Sequence, residues 1–211
     1  MTLPRVIFFL GTMVLEMTIP QANFIALDPK CGPTRLSVFQ TALGWLSLLH
    51  CEEVIRQIKF GFQSRTDSIA YFDNPSDPTA PVQGKRVSYD RISGSPPSWK
   101  ERFIQYTNGE KISFADLLVD ISGLTKFQTR VLKECRGITY GQVLTYGELA
   151  TKCGSPGAAR AVGSAMKSNW TPIVIPCHRI IRADGLGNFS ASQGMSTKAR
   201  MLTMEGARWK A

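Results

Sequence analysis

Thr145-Tyr146-Gly147-Glu148-Leu149-Ala150-Thr151-Lys152-Cys153-Gly154-Ser155-Pro156-Gly157-Ala158-Ala159-Arg160-Ala161-Val162-Gly163-Ser164-Ala165-Met166 reads as two short helices joined by a glycine turn. Thr145 precedes the first helix, and Glu148 three residues on completes a capping box. That helix stops before Gly154. Ser155-Pro156 then offers an N-cap followed by proline at the first helical position, launching a second helix through Met166. Two short helices with a glycine-containing turn form the helix-turn-helix pattern. The second helix is bare: Ala158, Ala159, Ala161, Gly163, Ser164 and Ala165 carry almost no side chain. Another backbone can therefore come very close, either a neighbouring helix or a ligand. Arg160 favours the ligand, because a cation in the first turn opposes the helix dipole and local stability does not explain it.

Downstream, residues 171–175 are β-branched and apolar and read as a strand, with Pro176-Cys177-His178-Arg179 at its end. A lone cysteine is ordinarily a small buried hydrophobe. Here a fixed backbone, an adjacent histidine and an adjacent cation all favour the thiolate, the nucleophilic form. Neighbours in extended chain point to opposite faces, so His178 reaches the sulfur only through a water or a turn. Thr197, Lys198, Arg200, Met201, Leu202 and Met204 fit a last helix ending at Gly206, a C′ residue. Glu205 then sits in its last turn, where the dipole penalises a carboxylate by about 0.3–1 kcal/mol. A carboxylate that orients a histidine beside a cysteine is a recurring catalytic arrangement. Upstream, Phe127, Val131, Leu132 and Cys135 form the apolar stripe of another helix ending at Gly137.

Charge divides the chain at the same place. Residues 1–121 hold 12 basic and 12 acidic side chains, whereas residues 122–211 hold 13 basic and 4 acidic ones, so the whole net charge of +9 lies in the second part. That asymmetry fits either a face that meets a polyanion or an ordinary basic surface. The length suits one or two small domains, and 43% hydrophobic residues make the chain globular. No apolar run approaches the roughly 18 residues of a membrane span. Arg5 followed by Val6-Ile7-Phe8-Phe9-Leu10 resembles a short signal-peptide core, but Glu16 follows and no small-x-small cleavage site does. This terminus reads as frayed or strand-forming, or as preceding a true start at Met13 or Met17. Cys31, Cys51, Cys135, Cys153 and Cys177 are odd in number and form no framework, so free thiols in a reducing compartment are expected. His50-Cys51 with Cys31 offers at most a partial zinc site.

The first part reads as sheet-rich. Residues 36–40 and 45–49 are β-prone around a turn at 41–44, and residues 54–60 alternate as a third strand ended by Gly61. Residues 73–98 hold Pro75, Pro78, Pro81, Pro96 and Pro97 and read as loop. A short helix over 99–106 and an extended stretch over 112–121 follow.

Together these residues carry a resemblance to the O6-alkylguanine-DNA alkyltransferases (methylated-DNA–protein-cysteine methyltransferases). Pro176-Cys177-His178-Arg179-Ile180-Ile181 resembles the family's active-site signature. Tyr140-Gly141-Gln142-Val143 with Tyr146-Gly147-Glu148-Leu149-Ala150 resembles its first helix-turn-helix segment. Ala158-Ala159-Arg160-Ala161-Val162-Gly163 and Asn169 resemble its recognition helix and the asparagine that closes it. The match runs from about Leu124 to Gly206; residues 41–60 and 118–122 fit the family's N-terminal part more weakly.

The resemblance implies an α/β protein. A small ribonuclease H-like domain over 1–121 would precede a mostly helical domain over 122–211 with a winged-helix-like helix-turn-helix. It implies a DNA repair protein that flips O6-alkylguanine, and by extension O4-alkylthymine, and moves the alkyl group irreversibly to Cys177. His178 would take the thiol proton through a water, Glu205 would orient His178, and Asn169 would tie the recognition helix to the active-site strand. Arg160 would fill the gap in the base stack, and Tyr146 would press on the phosphate beside the flipped nucleotide. Ala159, Ala161 and Gly163 would let the helix enter the minor groove. Ser155, Phe189, Ser190 and Lys198 complete the implied substrate- and DNA-binding set. The implied partner is double-stranded DNA, with no cofactor, metal, membrane or obligatory protein partner. The implied setting is the cytoplasm and nucleoid of a bacterium or the nucleus of a eukaryote. The chain departs from the family at three points. Phe189 stands where a tyrosine hydroxyl would assist the departing guanine, Trp170 replaces a proline after Asn169, and Ser190-Ala191-Ser192-Gln193-Gly194 replaces a tighter glycine-rich turn. Two other readings remain. A cysteine hydrolase would need a second histidine, for which only His50 is present, and a lesion sensor would not need Cys177.

Overall fold

The structure is a computed structural model that describes residues 5–10, 13–18, 24–26, 34–73, 89–90, 99–189 and 194–209. It is a mixed α/β fold. Near the N-terminus β1 (Arg5–Leu10) and β2 (Met13–Thr18) form an antiparallel hairpin, in line with the strand-forming reading. The main sheet contains β3 (Phe24–Ile25), β4 (Thr34–Thr41), β5 (Gly44–Cys51), β6 (Val54–Phe62), β7 (Tyr89–Asp90) and β8 (Leu118–Asp120), in the order β3-β8-β6-β5-β4-β7. β4, β5 and β6 form the antiparallel meander expected from alternation, while β3, β7 and β8 join it in parallel.

Two helices cover this sheet. α1 (Arg65–Asp73), which the sequence reading missed, takes a hydrogen bond from the buried Ser47 Oγ to the Ser68 carbonyl. α2 (Lys100–Thr107) lies where a short helix was expected. It meets the alternate face, where Trp99 stacks edge-on to His50 at 5.3 Å and Phe103 meets Phe39 at 6.4 Å. Central β5 is thus covered on both faces, which is why even its Ser47 and His50 are buried. Only Leu118–Asp120 of the extended stretch expected over 112–121 is strand, because the chain turns between Phe114 and Leu117. Apart from Tyr89–Asp90, the proline-rich loop at 74–98 lies outside the described residues.

After the sheet come α3 (Lys126–Arg136), β9 (Leu144–Thr145), α4 (Tyr146–Lys152), α5 (Ala159–Lys167), β10 (Ile180–Ile181) and α6 (Gly194–Met204). β9 and β10 pair in parallel. Both α3 and α4 begin with complete capping boxes, Thr125 with Gln128 and Thr145 with Glu148. α5 begins three residues later than expected. Gly157 takes a left-handed backbone (φ 87°), so Ser155-Pro156 shapes the turn and Ala158 is an N-cap with no side-chain bond. Residues 171–175 are not a strand. Ile175 N donates to Thr171 O at 2.9 Å and Ile173 is left-handed (φ 77°), so the chain folds back on itself despite its β-branched composition. The Asn169 amide closes this turn, donating to Ile175 O at 2.9 Å and accepting from Thr171 N at 3.1 Å.

Cys135, Cys153 and Cys177 are free thiols, but Cys51 is disulfide-bonded, which corrects the expectation of free thiols throughout and removes its support for a reducing compartment. The His50 ring nitrogens face Ser37 Oγ at 3.2 Å and the Glu52 carbonyl at 2.8 Å. Among the described residues no helix is long and apolar enough to cross a membrane.

Candidate active site

Cys177, His178 and Arg179 form a single 3-10 turn after Pro176. The turn is the local device that lets consecutive side chains serve one site, where extended chain would have separated them. Cys177 is 8% exposed and forms part of the wall of an open cleft of about 860 Å³. Thr145 and Tyr146 at the start of α4, Ala159, Arg160, Gly163 and Ser164 of α5, and Arg182 and Phe189 of the following loop are among its other lining residues. A Cβ built on Gly163 would meet only Tyr146 Cε1, at 3.9 Å, so packing leaves room there for a larger residue.

His178 is fully buried, and its Nε2 lies 2.9 Å from Glu205 Oε1. Arg179 grips the same carboxylate twice, Nε to Oε2 at 2.9 Å and a terminal nitrogen to Oε1 at 2.8 Å. Tyr106 of α2 donates to Oε1 at 2.6 Å, and Gly141 N donates to Oε2 at 3.3 Å. Gly141 is left-handed (φ 79°), and a Cβ there would stand 2.9 Å from the Glu205 carbonyl oxygen, so only glycine brings this N–H so close. The penalty of a carboxylate at the end of α6 is thereby offset by direct donors.

Burial on its own would raise the Glu205 carboxyl, yet hydrogen bonds from His178 and Arg179 hold it far below the ordinary carboxylate range. Burial depresses His178, with Glu205 pulling the other way, so its imidazole rests neutral. An ionised carboxylate can only accept, so Nε2 carries the ring proton and Nδ1 is the base. Nδ1 is buried and has no protein hydrogen-bond partner. Burial also raises the Cys177 thiol above its ordinary value, with Asn169 and Lys198 acting in the opposite sense. This corrects the expectation of a resting thiolate: Arg179 is committed to Glu205, and the sulfur is too deeply desolvated to ionise before a proton acceptor acts.

One expected member does not fit its expected place. Lys198 is fully buried; its ammonium donates to the Ile180 carbonyl at 2.5 Å and the Leu186 carbonyl at 2.6 Å, and burial lowers its pKa to about 8. It ties the residues after Cys177 to α6 and presents nothing to a duplex. Ser155 lies half-buried in the turn before α5 and outside the cleft, and Ala161 is exposed on α5 beyond the cleft wall. Ser190 lies outside the described residues. Tyr106 is the functional candidate that sequence reasoning missed. Nor is the surplus of cations all surface, since Arg179 and Lys198 are buried. His50 sits in β5, away from the cleft.

The family model described as 6-O-methylguanine DNA methyltransferase, DNA binding domain, matches residues 126–207. A methylated-DNA–protein-cysteine methyltransferase of Shigella flexneri is 42% identical over 126 residues, covering 59% of this chain and 72% of that protein. One of Rattus norvegicus is 31% identical over 175 residues and 82% of each chain. The crystal structure of Mycobacterium tuberculosis OGT in complex with DNA superimposes with a TM-score of 0.64 at 27% identity, over 81% of this chain and 92% of that one.

Proposed function

The chain belongs to the methylated-DNA–protein-cysteine methyltransferase family, and on that premise we propose that its site works as follows. The protein binds DNA and repairs O6-alkylguanine directly, taking the alkyl group onto its own Cys177. The thiol proton passes through a water to His178 Nδ1, and the sulfur attacks the alkyl carbon. The S–C bond forms as the O6–C bond breaks, the electron pair goes to the guanine, and the base takes up a proton to become ordinary guanine. Nothing removes the alkyl group from sulfur, so each molecule acts once. Glu205, itself held by Arg179, keeps His178 oriented, burial keeps it neutral until it receives that proton, and Asn169 holds the turn that presents the sulfur.

Residues 122–211 act as the DNA-binding, alkyl-accepting domain, a winged-helix-like helix-turn-helix, and residues 1–121 as a ribonuclease H-like scaffold; the charge asymmetry and the six-stranded sheet support that division. α5 enters the minor groove, supported by the nearly bare surface of Ala159, Gly163 and Ser164 along the cleft. Arg160, exposed at the start of α5, takes the place of the extruded base; extrusion costs a few kcal/mol, least for a damaged base. Tyr146 presses on the neighbouring phosphate, and Phe189 packs the base in the cleft. O4-alkylthymine fits the same chemistry. The protein works wherever its duplex resides, nucleoid or nucleus, and needs no obligatory protein partner.

The observation that carries this reading is a buried thiol in the wall of an open cleft, followed in the same turn by a histidine whose Nδ1 is unpartnered. The test is intact mass after incubation with a duplex containing O6-methylguanine. One added methyl on Cys177, absent in Cys177→Ala, is expected. Retained DNA binding with no adduct would make the protein a lesion sensor, and repeated turnover would make it a hydrolase.

A further inference from the structure

We propose that Tyr106, supplied by α2 from the first half of the chain, is a positioning residue for alkyl transfer: its hydroxyl, with Glu205, clamps the Nε2–H of His178 and so fixes the tautomer in which Nδ1 can take the Cys177 proton. The proposal rests on the alkyl-transfer reading above and assigns that reaction a component outside residues 122–211.

Tyr106 is fully buried, and its hydroxyl donates to Glu205 Oε1 at 2.6 Å while lying 3.2 Å from His178 Nε2. A phenol has one proton. With that proton given to the carboxylate, the oxygen can only accept from Nε2. Two acceptors therefore converge on one ring nitrogen, and the alternative tautomer would turn a lone pair on both. Burial, reinforced by the Glu205 charge, holds the Tyr106 proton well above its ordinary range, so it stays a donor wherever the protein works. The other titratable and charged groups around the pair are Arg179, Lys198, Tyr140, Cys135 and Cys177. Arg179 is engaged by Glu205 and the Ile138 carbonyl, Tyr140 by the Gly109 and Met204 carbonyls, and Lys198 by the Ile180 and Leu186 carbonyls. None of these supplies a second acceptor to Nε2. Packing does not require the hydroxyl either. The Tyr106 ring meets Phe114 at 5.6 Å and Tyr140 at 6.2 Å between centroids, contacts that phenylalanine would keep.

The experiment compares Tyr106→Phe with Phe114→Leu, which loosens the same ring packing without touching Glu205. Single-turnover transfer from an O6-methylguanine duplex is followed across the neutral pH range. The tautomer of His178 is read by NMR of its ring nitrogens in a Cys177→Ala background. Tyr106→Phe is expected to slow transfer about tenfold, the loss of one charge-assisted hydrogen bond. It should also alter the pH profile, populate the Nδ1–H tautomer and leave DNA affinity unchanged. Phe114→Leu is expected to lower the melting temperature with profile and tautomer intact. A wild-type rate and profile in Tyr106→Phe, a uniform loss matched by Phe114→Leu, or a neutral wild-type His178 carrying its proton on Nδ1 would overturn the proposal. If the wild-type protein accepts no methyl, the alkyl-transfer reading falls instead, and the NMR result still decides the tautomer.

Discussion

Behind the thiol of Cys177, both oxygens of the Glu205 carboxylate are taken up by donors from Tyr106, Gly141, His178 and Arg179. In front of it, Ala159, Gly163 and Ser164 offer an open cleft little more than backbone, and Arg160 stands exposed with no carboxylate paired to it among the described residues. In the first region the carboxylate's partners are all protein groups, whereas in the proposed reading the groups of the second are left for a ligand. Changes behind the thiol should therefore move rate, pH dependence and stability together, while changes in front should move recognition or transfer without altering the pH dependence.

The largest effect expected is that of Glu205→Gln. Removing one partner of a buried ion pair costs about 3–5 kcal/mol, because Arg179 is left as an uncompensated buried cation. Thermal unfolding should show that loss, and transfer should slow with it. The pH dependence has a definite sign. Both His178 and Glu205 titrate below their ordinary values in the folded state, so the unfolded chain binds protons first as acid is added. Stability should begin to fall below the ordinary histidine value of 6.5 and fall further below the ordinary carboxylate value of 4.5. Glu205→Gln should shrink the lower step, leaving the smaller share that Asp116 and the exposed carboxylates contribute. An unchanged acid profile in this variant would break the distinction between the two regions.

Arg160→Ala comes next. Stacking contacts are worth about 1–3 kcal/mol per base, so repair of a duplex lesion should slow about tenfold or more. Transfer to free O6-methylguanine base and the melting temperature should stay as they are. Equal slowing on the free base would move Arg160 from the recognition region to the chemical one.

Phe189→Tyr restores a hydroxyl in the cleft wall and should speed transfer about threefold to tenfold, the worth of one neutral hydrogen bond. Unchanged or slower transfer would mean that the ring contributes packing alone. The smallest effect is also the sharpest. Gly163→Ala fits without a clash and should stabilise α5 by about 1 kcal/mol, since glycine is a poor interior helix residue. It should nevertheless weaken DNA binding measurably. A variant both more stable and equally tight would show that the bare surface serves folding.

What the sequence disclosed followed the range of the forces at work. The capping box of α4, the β4–β5–β6 meander and the proximity of Cys177, His178 and Glu205 are set by neighbours along the chain or by a recognised motif, and all were legible. Residues 171–175 misled because β-branched composition is only a preference, which the Asn169 amide and the left-handed Ile173 override. The start of α5 misled because Ser155-Pro156 also suits a turn, and Gly157 provides one. Lys198 read as a surface cation because nothing local announces that two carbonyls wait for it in the interior. Tyr106 was invisible for the same reason: a helix residue on an apolar face looks like core until the chain brings a carboxylate to it.

The hydrogen bond from Tyr106 to Glu205 joins residues 99 positions apart. Ribosomes add roughly 5–20 residues per second, so on the order of five seconds or more separate the synthesis of the two partners. Cys177 emerges before Glu205, and a nascent chain thus carries the acceptor sulfur before the machinery that activates it. On the proposed reading, the arrival of Glu205 just after α6 completes the site that draws off the thiol proton, and a protein with one acceptor to use gains from having that event come late.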